Sequence, residues 1–456
     1  MTPPLPAAPG PRGAPLVGNA PDLKRDLYAA LRRDFGRYGD VVRYQLGPRV
    51  VHLLSHPDLA QQVLVNRAAQ HPKLPAGNGL GLLLGRGLVT NDDHPSWLSQ
   101  RRMMQPVFHR ERLAGMAGEM TAAGDRMLER WRVRYRPGDT VDVAEELMRV
   151  TLDIISRTMF GAEVGQDAAH IGPAVEEGTR FVNLRSQSAV RLPLRWPLPA
   201  HGRFRVAKGT LDAVVARIIC ERRTAGPGHG DLLDMLMEAR DADTGERMSD
   251  QQLHDEVVTV FGAGHETTAN ALAWAWFLLA RHPHVLARLQ AEVDEVLAGR
   301  DPTLADLGRL PYTGQVFQET LRLYPPAPLV SPRLVLEDTA LGGYAVPAGS
   351  ALLVSIANIH HHPDFWENPD TFDPDRWAPG QTAKRHRLAY LPFGAGPRLC
   401  IGNNFALMEG PLLLALTARA AEFRLSPGQT VTPQQAVTLR PRGGLPLTYH
   451  PRRGTA

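Results

Sequence analysis

Two periods of apolar residues run through the chain. Short runs of period two at Val41–Leu46 and Val50–Leu54, parted by Gly47-Pro48, predict a β-hairpin. Helical spacing follows over Pro57–Asn66, Ser96–Phe108 and Arg112–Tyr135 and dominates from there on. The longest such pattern opens at Ser249, where Ser-Asp-Gln-Gln has the form of a capping box with Gln252 reaching back, and continues to about His282. At 1.5 Å per residue this helix is about 50 Å long, enough to cross a whole domain. Its segment Ala271–Ala280 is apolar on every side, but His265 and Glu266 before it and Arg281-His282-Pro283 after it leave it too short to span a membrane. It is expected to run buried through the protein centre. Strand patterns return at Arg333–Leu336, Tyr344–Val346 and Ala351–Ile356, with a last pair near Ala436–Leu439 and Leu445–Tyr449. The pattern predicts a mainly α fold with a minor β part.

A length of 456 residues allows about three domains on size alone, yet no linker divides the chain. The stretches richest in Pro and Gly, Pro3–Gly18, Pro193–Pro199 and Gly226–Gly230, are each short enough to be loops, so residues 1–456 are read as one large domain with a proline-rich segment at 1–20. No apolar run follows Met1, so neither a signal peptide nor a transmembrane anchor is expected, and the protein is read as soluble and cytoplasmic. Of the two cysteines, Cys220 lies in the amphipathic stretch Leu211–Arg223 and suits a core, and both are expected to be reduced. Two cysteines exclude a four-cysteine iron–sulfur cluster or zinc ribbon within this chain, so an electron carrier must be separate. The net charge of +4 is spread out rather than gathered into an arm, which does not indicate nucleic-acid binding.

Cys400 carries the chemistry. Residues 393–402 read Phe-Gly-Ala-Gly-Pro-Arg-Leu-Cys-Ile-Gly, a glycine-rich turn that delivers this cysteine to the start of an apolar helix. Unpaired backbone N–H groups and the positive helix end favour a thiolate there, able to bind a metal or attack a substrate. A buried structural cysteine is the plain alternative. Gly396 permits a tight turn and Gly402 removes a side chain beside the sulfur, leaving room for a large flat group such as haem. Phe393, Gly396, Arg398, Cys400 and Gly402 fill Phe-x-x-Gly-x-Arg-x-Cys-x-Gly, and this segment resembles the haem-ligand loop of the cytochrome P-450 family. The resemblance implies the P-450 fold, haem b (iron protoporphyrin IX) as cofactor and Cys400 as axial ligand to its iron. A thiolate in that position pushes electron density onto the iron and favours O–O cleavage.

Other motifs extend the resemblance over nearly the whole chain. Ala263-Gly264-His265-Glu266-Thr267-Thr268 sits mid-helix, where a glycine and a buried carboxylate both cost stability. A zinc-protease reading fails because the second histidine of His-Glu-x-x-His is replaced by Ala269. The segment matches the family's oxygen-binding helix, so Gly264 is expected to open a groove over the haem while Glu266 and Thr267 manage protons. Glu319 and Arg322 share one helix face, a spacing that elsewhere in the chain marks ordinary surface pairs. Followed by Leu-Tyr-Pro-Pro-Ala-Pro and Phe372-Asp-Pro-Asp-Arg376-Trp, they resemble the family's buried network of one Glu and two Arg, completed by Arg376. Trp97 with Arg101, Arg333 and Arg398 are implied partners of the haem propionates, although each arginine alone reads as a solvated residue. The run His360–His362 lacks a second ligand cluster at metal-binding spacing and is read as loop.

The implied activity is that of a haem-thiolate monooxygenase inserting one atom of O2 into a lipophilic small molecule, by hydroxylation as the default. Residues 70–90 and 180–205 match no fixed motif and are rich in Leu80, Leu82, Leu83, Leu84, Phe181, Val182, Leu184, Leu192 and Trp196, the apolar walls of a substrate pocket. Fatty acids, terpenoids, carotenoids and macrolides all suit them. Electrons are expected from a ferredoxin or flavodoxin with its reductase, docking on Arg101, Arg102, Arg110 and Arg112 together with Arg385 and Arg387. A peroxide-driven peroxygenase on the same fold is the alternative that Glu266 and Thr267 disfavour. A haem-binding sensor or carrier would sooner use a histidine ligand, and a cysteine hydrolase would be colourless.

Overall fold

The computed structural model describes residues 5–452 apart from 76–78, 162–167, 187–191, 227, 229, 242 and 384. The first residues of the proline-rich segment and parts of both expected pocket stretches therefore lie outside the described residues. The helices used below are α1 (His94–Met104), α2 (Ala117–Arg134), α3 (Val143–Phe160), α4 (Pro199–Ala225), α5 (Asp250–Arg281), α6 (Pro283–Leu297), α7 (Pro311–Leu323) and α8 (Asn403–Ala420). The strands are β1 (Val41–Leu46), β2 (Arg49–Leu54), β3 (Thr140–Asp142), β4 (Arg333–Leu334), β5 (Ala351–Val354), β6 (Ala421–Arg424) and β7 (Pro446–Pro451). The fold is mainly α with a minor β part, and none of its described helices is long and apolar enough to cross a membrane.

Two compact units are present, each assembled from three stretches of chain. The helical one comprises Ala76–Phe317, Ile401–Thr432 and Pro441–Ala456. Its axis is α5, capped by Ser249, whose hydroxyl accepts the Gln252 N–H at 3.2 Å, so the cap forms without the return bond of a full capping box among the described contacts. Helix α5 packs most extensively on α3 and also meets α4, α6 and α8. Its apolar segment is buried as expected, with Trp274 and Trp276 fully enclosed and the Trp276 indole N–H on Thr417 Oγ1 of α8 at 3.2 Å.

Two expectations need correction in this unit. The helix expected over Arg112–Tyr135 is two, Arg110–Ala114 and α2, because the chain turns at Gly115-Met116 where glycine weakens a helix. The expected pairing of the last two strand segments does not form. Strand β7 instead lies between β3 and β6, Leu447 opposite Val141 and Tyr449 opposite Phe423, while Leu439–Pro441 pairs with Pro433–Gln435. The cause is the turn at Gly443-Gly444, both with φ near +80° to +90°, which lays the chain against Asp142 so tightly that a Cβ at Gly444 would overlap that carboxylate. Asp142 Oδ1 then accepts the Leu445 N–H at 2.9 Å.

The other unit holds Met1–Pro75, Gln318–Cys400 and Pro433–Arg440. Its sheet has the order β1-β2-β5-β4. The predicted hairpin pairs Val41 with Leu54, β2 runs parallel to β5, and β4 closes the sheet antiparallel. Leu54, Leu64, Leu352, Val354, Ile359 and Leu391 fill one core cluster, which carries the sheet's order to the segment just before Cys400.

Candidate active site

The cysteine segment is held by its own backbone. Gly394 donates its N–H to Leu391 O at 2.9 Å, and Cys400 donates its N–H to Phe393 O at 3.0 Å. Gly394 and Gly396 both take φ +73°, and a Cβ on Gly396 would overlap the Leu64 carbonyl. Glycine is thus demanded at 396 twice over. Helix α8 starts at Asn403 behind Gly402, so Cys400 stands just ahead of the helix rather than within its first turn. Cys400 is exposed and, like Cys220, forms no disulfide.

Beneath this segment, Glu319 and Arg322 of α7 are both fully buried and form a two-point pair at 2.7 and 2.8 Å. Glu319 also accepts the Trp377 indole N–H at 2.9 Å and the Asp373 N–H at 3.1 Å. Arg322 spends its remaining donors on the carbonyls of His360, Pro369 and Thr371, at 2.7 to 3.0 Å. Arg376 joins them: its Nε lies 3.3 Å from Glu319 Oε1 at an angle too poor for a hydrogen bond, and its other nitrogens hold the Glu367 and Asn368 carbonyls. The three residues expected to form a network are therefore together. Breaking such a buried pair is worth far more than making it, so its value lies in fixing where the chain goes.

Arg333 on β4 differs from these. It is 6 % exposed, it has no acidic partner among the described residues, and burial alone pulls its guanidinium down to about 10. A buried cation without a counter-charge suits an anion that is not part of the chain, and a haem propionate has that chemistry. In the helical unit, Trp97 is buried and stacked on His94, with Arg101 one turn further along α1. Arg398 closes the short turn Gly396–Arg398 before the cysteine.

On α5, Glu266 is buried and Thr267 donates its hydroxyl to Ala263 O at 2.9 Å, leaving the oxygen able to accept. Burial pushes the neighbouring His265 imidazole down, towards its neutral form. Thr151 of α3 donates to the His265 carbonyl at 3.1 Å. A Cβ on Gly264 would meet Ile155 of α3 at 2.6 Å, so close packing of the two helices accounts for this glycine by itself.

Two acids with unusual protonation escaped the sequence reading. Glu409 of α8, 1 % exposed, is pushed up to about 8 by burial, offset in part by a hydrogen bond from Thr268 of α5; its Oε2 has no partner. Glu256 of α5 is fully buried and is pushed up to about 7 for the same reason, with Leu88 N–H on Oε2 at 2.9 Å and nothing on Oε1. A lone acid inside an apolar helical pattern is the signal that marks Glu409.

The histidine run lies in a loop, as expected, but a buried one. All three residues are buried in the turn after Ile356–Ile359, and each is spoken for. His361 Nδ1 lies 2.7 Å from Ala357 O. His362, Asp40 and His56 come close enough together to suggest a metal. Yet the Nδ1 atoms of both histidines accept backbone N–H groups, from Asp364 and Asp58, which leaves the proton on Nε2. His362 Nε2 donates it to Asp40 at 3.0 Å, holding that carboxyl below its ordinary range, and a metal ligand would need the opposite arrangement.

Two expectations about surfaces divide. Arg102, Arg110 and Arg112 are exposed, whereas Arg385 is half-buried, its guanidinium 4.0 Å over the Trp366 ring and pulled down by burial. Among the expected pocket residues, Leu83, Leu84, Phe181 and Val182 are buried, whereas Leu184 and Trp196 are about half exposed.

A family model described as cytochrome P-450 matches residues 8–446. The chain is 40% identical over 449 residues to cyclooctatin synthase of Streptomyces melanosporofaciens, covering 97% of this chain and 95% of that one. It is 35% identical to cyclooctat-9-en-7-ol 5-monooxygenase of the same organism, covering 97% and 95%. Pentalenene oxygenase of Streptomyces avermitilis is 34% identical, covering 98% and 96%. The crystal structure of the cytochrome P-450DA haem domain superposes with a TM-score of 0.88 at 29% identity, covering 99% of both chains.

Proposed function

Given that the chain belongs to the cytochrome P-450 family, a monooxygenase with haem b as its cofactor, we propose that it hydroxylates a polycyclic terpenoid hydrocarbon or alcohol. The observation that carries this choice is the likeness, over nearly the full length of each chain, to cyclooctatin synthase, cyclooctat-9-en-7-ol 5-monooxygenase and pentalenene oxygenase, the last two named as oxygenases of an alcohol and a hydrocarbon. The apolar side chains Leu83, Leu84, Phe181 and Val182 suit a lipophilic guest. Residues 1–456 form one P-450 domain in this reading, and the two units are parts of it.

Bound haem supplies the activation of O2, and the chain supplies everything around it. Cys400 would ligate the iron through Sγ, its backbone N–H committed to Phe393 O, which helps to hold the loop. Arg333, whose buried charge has no acidic partner among the described residues, would receive a propionate, and the family resemblance gives Trp97, Arg101 and Arg398 the same task. By the family resemblance Phe393 and Gly264 would each border the cofactor. Glu266 would take up protons, and Thr267 Oγ1, its own hydrogen on Ala263 O, would accept a hydrogen bond from the water that delivers them. Electrons come from a separate ferredoxin or flavodoxin with its reductase, which meets the exposed Arg102, Arg110 and Arg112. The cytoplasm, where such partners are found, is the proposed location.

Reconstitution with a ferredoxin and its reductase, under labelled O2 and with a panel of lipophiles, tests the reading. Polycyclic terpenoids should shift the haem spin state and gain one labelled oxygen. With Thr267→Ala, reductant consumption should continue while product falls and hydrogen peroxide takes its place. Turnover confined to linear fatty acids or macrolides would overturn the substrate class, and unchanged coupling in the variant would overturn the role of Thr267.

A further inference from the structure

His360 is a buried residue to which neither the family resemblance nor the activity gives a task. Its carbonyl accepts from Arg322 at 2.9 Å, and its ring lies between two backbone groups. Nδ1 is 3.1 Å from Arg322 O and Nε2 is 2.9 Å from the Leu391 N. The Leu391 N–H can only donate, so Nε2 must accept, and the ring is neutral with its hydrogen on Nδ1 pointing at the Arg322 carbonyl. Tyr390 stacks on the ring with centroids 5.2 Å apart, which fixes its plane. Burial and the nearby Arg322 guanidinium, the charged group that faces it, push the imidazole down to about 3, so this single tautomer persists over the whole working range of pH.

What His360 holds is the approach to the cysteine. Leu391 donates to His360, Leu391 O receives the Gly394 N–H, and Phe393 O receives the Cys400 N–H, so three hydrogen bonds in sequence join the imidazole to the ligand residue. Trp366 secures the adjacent Ala389 carbonyl at 3.2 Å, and Tyr390 donates its hydroxyl to Gln318 O at 3.3 Å. His360 is the point at which this strap meets the Glu319 and Arg322 pair. We propose that His360 is a positioning residue for the thiolate, setting the path of residues 391–400 by accepting the Leu391 N–H at Nε2. The proposal rests on Cys400 being the axial ligand.

Two substitutions separate the two ring atoms. The amide of His360→Asn reaches the place of Nδ1 and keeps the donor to Arg322 O, but leaves the Leu391 N–H unmatched. His360→Gln extends a carbonyl oxygen to the place of Nε2 and restores the acceptor. In the reduced carbon monoxide complex, wild type and the Gln variant should show the red-shifted thiolate Soret band, and the Asn variant should lose most of it to the thiol form at unchanged haem content. The same spectrum from both variants would overturn the proposal. A wild type without the thiolate band would instead overturn the reading of Cys400. Should the Asn variant bind no haem, the imidazole nitrogen resonances of wild type decide: a neutral ring protonated at Nδ1 supports the proposal, and protonation at Nε2 defeats it.

Discussion

Three glutamates, Glu319, Glu256 and Glu409, are buried to the same degree and live in opposite surroundings. Glu319 on α7 accepts four donors, two of them from Arg322, and a second guanidinium stands 3.3 Å away. Glu256 and Glu409 each accept one hydrogen bond, have one oxygen with no partner, and are pushed up to about 7 and about 8. Burial is common to all three, so the difference lies in the donors the fold supplies. Around the cysteine the chain is fixed by charge-assisted bonds that oppose one another from several directions. At Glu256 of α5 and Glu409 of α8 burial favours the neutral acid instead, and the protonation of both can change within the working range of pH.

The contrast is broken most severely at Glu319. Glu319→Ala leaves Arg322 buried and unpaired, a loss of about 3–5 kcal/mol. The variant should carry little haem and melt far below wild type. Normal haem content and melting would show that the network does not hold the cysteine segment.

Glu409 on α8 and Glu256 on α5 should respond in the opposite sense. Glu409 has a folded value of about 8 against an ordinary 4.5, so its neutral form is the one the fold favours. Stability from this group is complete below about 4.5, falls as pH rises towards 8, and is level beyond it. Glu409→Gln keeps an acceptor for Thr268 and cannot ionise, and should be more stable than wild type by about 2–4 kcal/mol above that range and equal below it. Glu256→Gln should gain about 1–3 kcal/mol, with its difference levelling off near pH 7. Denaturant titrations across pH read both curves. A wild type no less stable at alkaline pH than either variant would show that these carboxyls find donors the structure does not place there.

The smallest effect belongs to the surface. Arg102 pairs with Asp243 at 2.7 Å with both side chains well exposed, so Arg102→Ala should change stability by less than about 1 kcal/mol. It should slow electron delivery more visibly, in a salt-dependent way. A change in melting as large as that of Glu319→Ala would erase the distinction between the two kinds of ion pair.

What could be read from the sequence follows the range of the forces involved. The hairpin at Gly47-Pro48 and the start of α5 at Ser249 are set by neighbouring residues, and both appear where the pattern places them. Cys400 was picked out by the residues spaced around it, and Glu319, Arg322 and Arg376 by the segments that flank them, since the Glu-x-x-Arg spacing alone also marks surface pairs. The pairing of β7 was misread because its partners, Val141 and Phe423, lie far from it along the chain. His360 escaped for the same reason: the Leu391 N–H that defines its role is contributed by a distant segment. Glu256 and Glu409 are visible as letters, but their protonation is decided by the number of donors that burial leaves them, which no local pattern encodes.

The central claim is that Cys400 ligates the haem iron as a thiolate. The spectrum of the reduced protein under carbon monoxide, recorded for wild type, Cys400→His and Cys220→Ser, tests it directly. The account predicts the red-shifted thiolate Soret band in wild type and in Cys220→Ser and its loss in Cys400→His. Retention of that band in Cys400→His, with loss in Cys220→Ser, would contradict it.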